Sequence, residues 1–127
     1  MDIIFLLGRI IFGGYFFYNS ITHLTKTERL VARVSQRQIP SPKIAIYISG
    51  ILLFLGGAGI ILGISPGWSL TFVILFLIPA TFLIHQFWKE TDPSRRVVAV
   101  LNFTKNMALI GAAIMMFSIP TPWPLSF

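Results

Sequence analysis

Four long apolar stretches occupy most of this 127-residue chain and constrain its fold more than any other feature. They extend over about residues 3–24, 44–64, 68–88 and 97–119. Each is long enough to cross a bilayer, since a membrane helix needs roughly 20 mostly apolar residues. Only 11% of the residues are charged, against about 25% in soluble domains. The sequence therefore predicts an all-α protein, an integral membrane four-helix bundle forming a single domain over residues 1–127.

The connection between the first two spans has features of a helix that lies on the membrane surface. Thr25-Lys26-Thr27-Glu28 matches a capping box, in which Thr25 and Glu28 would bind the free amide donors of a helix start. Apolar residues then form a stripe beside three arginines at four-residue intervals, Arg29, Arg33 and Arg37. This pattern predicts a short amphipathic surface helix between helices 1 and 2, over about residues 25–38, with its arginines toward lipid phosphate. A solvated basic loop is the alternative.

The distribution of lysine and arginine predicts the orientation in the membrane. Five of these residues lie in the first connection and three in the third, whereas the second connection and both tails contain none. The positive-inside rule therefore places connections 1 and 3 in the cytoplasm and both termini outside, in a cell inner or plasma membrane. The formal charge of +6 is explained by this asymmetry, so we expect a lipid bilayer and no nucleic acid as partner.

Several polar side chains lie inside the predicted spans, where a charged group costs at least ~2.5 kcal/mol at the midplane. All of them except Arg9 fall in the half of the membrane predicted to be cytoplasmic. A shared polar pocket that binds a ligand would explain their presence, and Lys105 would be deeply buried in it. The predicted pocket residues are Arg9, Asn19, His23, His85, Asn102, Lys105 and Asn106.

Each pocket residue also has a simpler explanation. Arg9 and Lys105 could extend along their aliphatic stems toward the headgroups, and the asparagines could bond one helix to another. His23 and His85 could be ordinary residues at the membrane boundary. A role for them as haem or metal ligands has no further support in the sequence, because the chain has no cysteine and no acidic residue deep in a span. No catalytic motif is present, so we assign no catalytic residue and no metal site, and expect no enzymatic activity of the chain alone.

Glycine and proline predict how the helices pack and end. Gly56, Gly59 and Gly63 share one side of the second span and allow close backbone approach. Pro79 should kink the third span, because it lacks an amide donor and crowds the carbonyl of Leu75. The segment 120–124, with three prolines, should end the fourth span.

Two short motifs resemble those of the DoxX family of small four-helix membrane proteins. They are His85-Gln86-Phe87-Trp88 in the third span and Asn102-Phe103-Thr104-Lys105-Asn106 in the fourth. Glycine steps at Gly8-Arg9, Phe12-Gly13-Gly14 and Gly56-Gly57 extend the resemblance over nearly the whole chain. Many members carry a glutamate just before the paired glycines, where this sequence has only apolar residues at 51–54. The resemblance then implies that Arg9 and Lys105 are balanced differently here, or bind an anionic partner.

The resemblance implies a membrane subunit or anchor of a redox, quinone-linked, or other multi-subunit assembly. A quinone is the cofactor it suggests, with none covalently bound, and other membrane or membrane-bound redox subunits are the suggested partners. Two alternatives remain open at this point, a small transporter or carrier of an anionic or lipidic solute, and a purely structural accessory subunit.

Overall fold

The structure, a computed structural model, describes all 127 residues, which form helices and no strands. The α-helices are α1 Asp2–Thr25, α2 Thr27–Val34, α3 Pro42–Leu62, α4 Pro66–Pro79 and α5 Pro93–Met116. A π-helical turn, Ala80–Ile84, and a 3-10 turn, Phe87–Lys89, continue α4. Four segments are long and apolar enough to cross a membrane, namely α1, α3, Pro66–Lys89 and α5. The predicted four-helix membrane bundle and the short helix after its first member are therefore confirmed.

The bundle has two chemically different ends. We call the end where α1 finishes and α5 begins the basic end, because the segments 26–43 and 89–96 carry its lysines and arginines. The other end, which we call the tail end, holds the first residues of α1, the turn between α3 and α4, and the irregular segment 117–127. The most extensive helix contact is between α1 and α3, followed by α3 with α4 and α4 with α5.

The core is small, and much of the outer surface is apolar. Its members are Phe16, Leu53, Ile60, Leu70, Val73, Leu77, Ile110, Ala113 and Trp123. Large apolar side chains such as Ile11, which is 75% exposed, cover the outside of every long helix. Exposed apolar area costs roughly 25 cal/mol per Å² in water. This surface is therefore suited to lipid.

Glycine brings α1 and α3 into backbone contact. A Cβ atom added to Gly57 would lie 2.6 Å from the backbone nitrogen of Phe17 and 2.8 Å from the carbonyl oxygen of Gly13. Gly56 and Gly59 face α4 instead, and Gly63 ends α3 in the left-handed conformation with φ of 74°. Two glycines of the predicted stripe thus pack against α4 and the third ends α3, whereas the close contact with α1 is made by Gly57, outside that stripe.

Gly57→Ala should destabilise the protein, because the methyl group would meet backbone atoms that cannot move without separating α1 from α3. We expect a loss of about 1–3 kcal/mol, the usual cost of overpacking. Thermal unfolding in detergent measures it. Gly14→Ala is the matched control, since a Cβ there meets nothing within 4 Å. Equal melting temperatures for the two variants would contradict the close α1–α3 contact.

The start of α2 differs from the predicted capping box. Lys26 is the N-cap, and it makes no side-chain cap hydrogen bond. The Thr25 and Thr27 hydroxyls donate to carbonyl oxygens of α1, those of Ile21 and His23, at 2.6 and 2.8 Å. Glu28 pairs with Lys43 Nζ at 2.9 Å. The capping box is therefore wrong, because the threonine hydroxyls donate to carbonyls in the last turns of α1 and do not accept from the amides of α2.

The third span widens after its proline, and the fourth begins earlier than predicted. Pro79 is followed by the π-helical turn, in which the amide of His85 donates to the carbonyl of Ala80. The fourth span begins at Pro93 rather than near residue 97, because the Asp92 carboxylate caps α5. It accepts from Ser94 Oγ at 2.6 Å and from the Arg95 amide at 3.2 Å. These hydrogen bonds, the Ser94 one foremost, lower the pKa of Asp92.

Candidate functional site

An aromatic cluster holds the turn after α4 against α5. The ring of Phe103 lies 5.2 Å from that of Phe87, 5.6 Å from Phe82 and 6.0 Å from Trp88, each in an edge-to-face arrangement. Such aromatic pairs stabilise a contact beyond the area that they bury. Phe103 therefore joins the two sequence motifs and places His85 beside the first half of α5.

A basic cavity of about 530 Å³ lies at this position, at the basic end of the bundle. It is bounded by the segment after α2, the turn after α4 and the first turns of α5. Its polar walls include Arg33, Arg37, His85, Glu90, Arg95 and Asn102. The cavity thus combines two predicted groups, the surface arginines and part of the intramembrane pocket.

Three guanidinium groups share this cavity with a single carboxylate. Glu90 is already paired, with Arg37 Nη2 at 2.6 Å from its Oε1, and both side chains are largely buried. Neither Arg33 nor Arg95 forms a salt bridge. Two exposed guanidinium groups at the cavity are therefore outside any salt bridge.

Lys105 adjoins the cavity through Asn102 but lies on the surface of α5. Its Nζ is 3.4 Å from Asn102 Oδ1 and 5.5 Å from the centroid of the Tyr15 ring. The side chain is exposed, so the expected deep burial is wrong. The physical reason is helix rotation, since the next residue, Asn106, occupies the buried face of α5 at 4% exposure and turns Lys105 outward toward α1.

The structure brings together His85, Asn102 and Lys105, but not the other predicted pocket residues. The Asn19 amide donates to the Tyr15 carbonyl within α1 at 2.7 Å. His23 Nδ1 lies 2.6 Å from Ser49 Oγ, in a hydrogen bond whose donor depends on the histidine tautomer. His23 therefore links α1 to α3. Asn106 lies in line with the buried residues of α5.

Arg9 lies at the tail end, apart from the other pocket residues. It is 1% exposed, and its guanidinium donates to the carbonyls of Ile60 and Ile61 at 3.0 and 2.8 Å. It also donates to the carbonyl of Pro124 in the tail. The first two are free acceptors at the C-terminal end of α3, where a positive charge is also favoured by the helix dipole. All of its donors thus serve this chain's own backbone.

Several residues of the site escaped the sequence analysis. Tyr15 and Arg95 were hidden among many similar residues, and nothing local marks them as neighbours of a site. Phe103 lies in one of the two DoxX-like motifs, but the motif does not show that its ring joins the third and fourth spans. Glu90 could have been recognised as a candidate from the sequence, because it is one of only four acidic residues in the chain. No group of three or more histidine, aspartate or glutamate side chains that could hold a metal ion is present.

Comparison with known proteins agrees with this architecture. The DoxX family model matches residues 4–86, which include α1, α3 and α4 and end before α5. The match is thus shorter than the resemblance over nearly the whole chain that the motifs suggested. No curated protein matches the chain. No solved structure matches it. Because the matched region covers more than half of its length, this four-helix membrane protein belongs to the DoxX family.

Proposed function

We propose that this protein is a membrane subunit of a multi-chain assembly, and that it binds its partner through the polar face of α5. We define this face by Asn102 and Lys105. The partner is a membrane chain that presents a carboxylate to Lys105. The observation that carries the proposal is an exposed, unpaired lysine in the middle of a membrane-spanning helix.

The depth of Lys105 makes its exposure costly in lipid. It follows Pro93 by twelve residues, which at 1.5 Å per residue is about 18 Å from the start of α5. That is farther than an extended lysine side chain spans. Insertion scales assign about 2.5–3.5 kcal/mol to a lysine at the centre of a membrane helix. Contact with a partner would remove most of this cost.

The countercharge for Lys105 must come from outside the chain. Glu28 and Glu90 are paired with Lys43 and Arg37, and Asp92 caps α5. Asp2, the only other acid, begins α1 at the tail end. Charge complementarity therefore favours a partner with an acidic side chain at the level of Lys105.

The redox form of this proposal rests on the family resemblance. A quinone head group would accept hydrogen bonds from Lys105 and His85 through its carbonyl oxygens. The chain has no cysteine, so the redox centre would belong to the partner. We place the protein in a cell inner or plasma membrane, with the basic end in the cytoplasm and both termini outside, on the basis of the charge asymmetry.

Photocrosslinking in native membranes tests the subunit proposal. A photoreactive residue at Thr104, exposed beside Lys105, should crosslink to a discrete second protein. The same residue at Ile51, which is 52% exposed near the middle of α3, is the matched control and should react with lipid. Equal patterns from the two positions, without a discrete product at Thr104, would contradict the proposal.

A carrier of anionic solute is the second candidate, favoured by the excess of arginines over carboxylates in the lining of the basic cavity. The two candidates differ in what the purified chain does alone. A carrier moves an anionic solute across liposomes without other proteins, whereas a subunit does not. Transport by the isolated chain would therefore replace the subunit proposal with the carrier.

A further inference from the structure

We propose that the basic cavity binds a phosphate-bearing group at the membrane surface. This site is separate from the contact proposed for Lys105, and neither proposal depends on the other. The cavity of about 530 Å³ is large enough for a phosphate ester with part of its attached group. It lies where α5 begins and the third span ends, at the boundary of the segments long enough to cross a membrane.

The charge of the cavity selects an anion. The guanidinium groups of Arg33 and Arg95 face the same space without a carboxylate partner, while Glu90 is held by Arg37. Like charges in one cavity repel each other, so a bound anion would relieve this repulsion. The acidic group nearest in sequence, Asp92, accepts from the Ser94 hydroxyl and the Arg95 amide and forms no salt bridge with either guanidinium group.

The kinds of donor in the cavity favour phosphate. Guanidinium groups bind phosphate oxygens in pairs of parallel hydrogen bonds, which a lone ammonium does not offer. Asn102 adds a neutral donor to the wall, because its side-chain amide has two protons and bonds only the Val98 carbonyl. The remaining wall is apolar and includes Ile84 and Val98, which suits the part of an amphiphile just below its headgroup. An acidic phospholipid and a free phosphate share this chemistry.

Binding to lipid nanodiscs tests this site with a charge-matched pair of variants. Arg33→Gln combined with Arg95→Gln removes both free guanidinium groups of the cavity. Arg29→Gln combined with Arg96→Gln removes the same charge from residues that do not line it. The probe is phosphatidylglycerol, titrated into phosphatidylcholine nanodiscs, with the bound lipid counted by native mass spectrometry. Melting temperatures confirm that every variant is folded.

We expect the wild type to retain a phosphatidylglycerol that the cavity variant binds at least about tenfold more weakly, since the variant lacks both guanidinium groups that would bond the phosphate. The control variant should lose far less. A second arm uses inorganic phosphate in neutral nanodiscs. Stabilisation of the wild type by phosphate, absent from the cavity variant, would identify a free phosphate compound as the source. Equal losses in both variants, or no response to either probe, would overturn the proposal.

Discussion

Arg9→Met should destabilise the protein strongly and release its C-terminal tail. The guanidinium satisfies two carbonyls at the end of α3 and at least one in the tail, and all of them would lose a charged donor. A buried carbonyl left without its donor costs about 1–3 kcal/mol, so the two at the end of α3 together cost about 2–6 kcal/mol. We expect a loss in this range, among the largest for any single substitution in the chain.

The contacts around Arg9 explain why the tail should respond. Trp123 is buried against Phe5, with ring centroids 5.4 Å apart, and the guanidinium lies 5.7 Å from the tryptophan ring. The amide of Phe127 also donates to the carbonyl of Leu62 at 3.0 Å. The tail therefore covers the end of α3, and Arg9 is the side chain that bonds to both.

Thermal unfolding and limited proteolysis in detergent measure both effects. Arg9→Met should unfold at a lower temperature and become cleavable near Trp123, whereas the wild type should resist cleavage there. Arg9→Lys keeps the charge but loses the planar fork of donors, so its stability should lie between the two. A tail that stays protected in Arg9→Met would show that the arginine does not hold it.

Lys105→Met should have the opposite profile, a folded chain that loses its partner. Methionine has a similar length and no charge, and it suits an exposed position in lipid better than lysine does. The chain alone should therefore be as stable as the wild type or more stable. Association with the partner should fall on the order of tenfold or more, since an unpaired partner carboxylate in lipid would cost several kcal/mol.

Two further variants make this prediction specific. Lys105→Arg keeps a positive charge at the same position and should retain much of the association. Lys26→Met removes the same charge from an exposed residue at the basic end and should change little. If Lys26→Met weakens association as much as Lys105→Met does, net charge is responsible and the face of α5 is not.

The long helices could be predicted because a helix that crosses lipid must be about 20 residues long and mostly apolar. Roughly 20 apolar residues and flanking prolines are local features, and Pro42, Pro66 and Pro93 all stand at helix starts in the structure. The α2 helix followed from the spacing of its arginines. Its capping box failed because Thr25 and Thr27 had two sets of backbone groups within reach, and the sequence does not say which set is free.

The site was harder to predict because it depends on how each helix is rotated. A turn of about 100° between successive residues separates buried Asn106 from exposed Lys105, and no local pattern distinguishes them. Arg9 shares a helix face with His23, yet the two lie near opposite ends of α1. Its hydrogen-bond acceptors are backbone carbonyls of α3 and of the tail, and no side-chain motif predicts such partners.

The most direct test of the subunit account is quantitative mass spectrometry of what is retained with the protein from gently solubilised native membranes. The wild type and Lys26→Met should retain the same membrane protein, and Lys105→Met should retain on the order of one tenth as much of it. All three chains should be monodisperse and equally folded. Identical retention by the wild type and Lys105→Met, or no second protein with any of them, would contradict the claim that α5 binds a partner through Lys105.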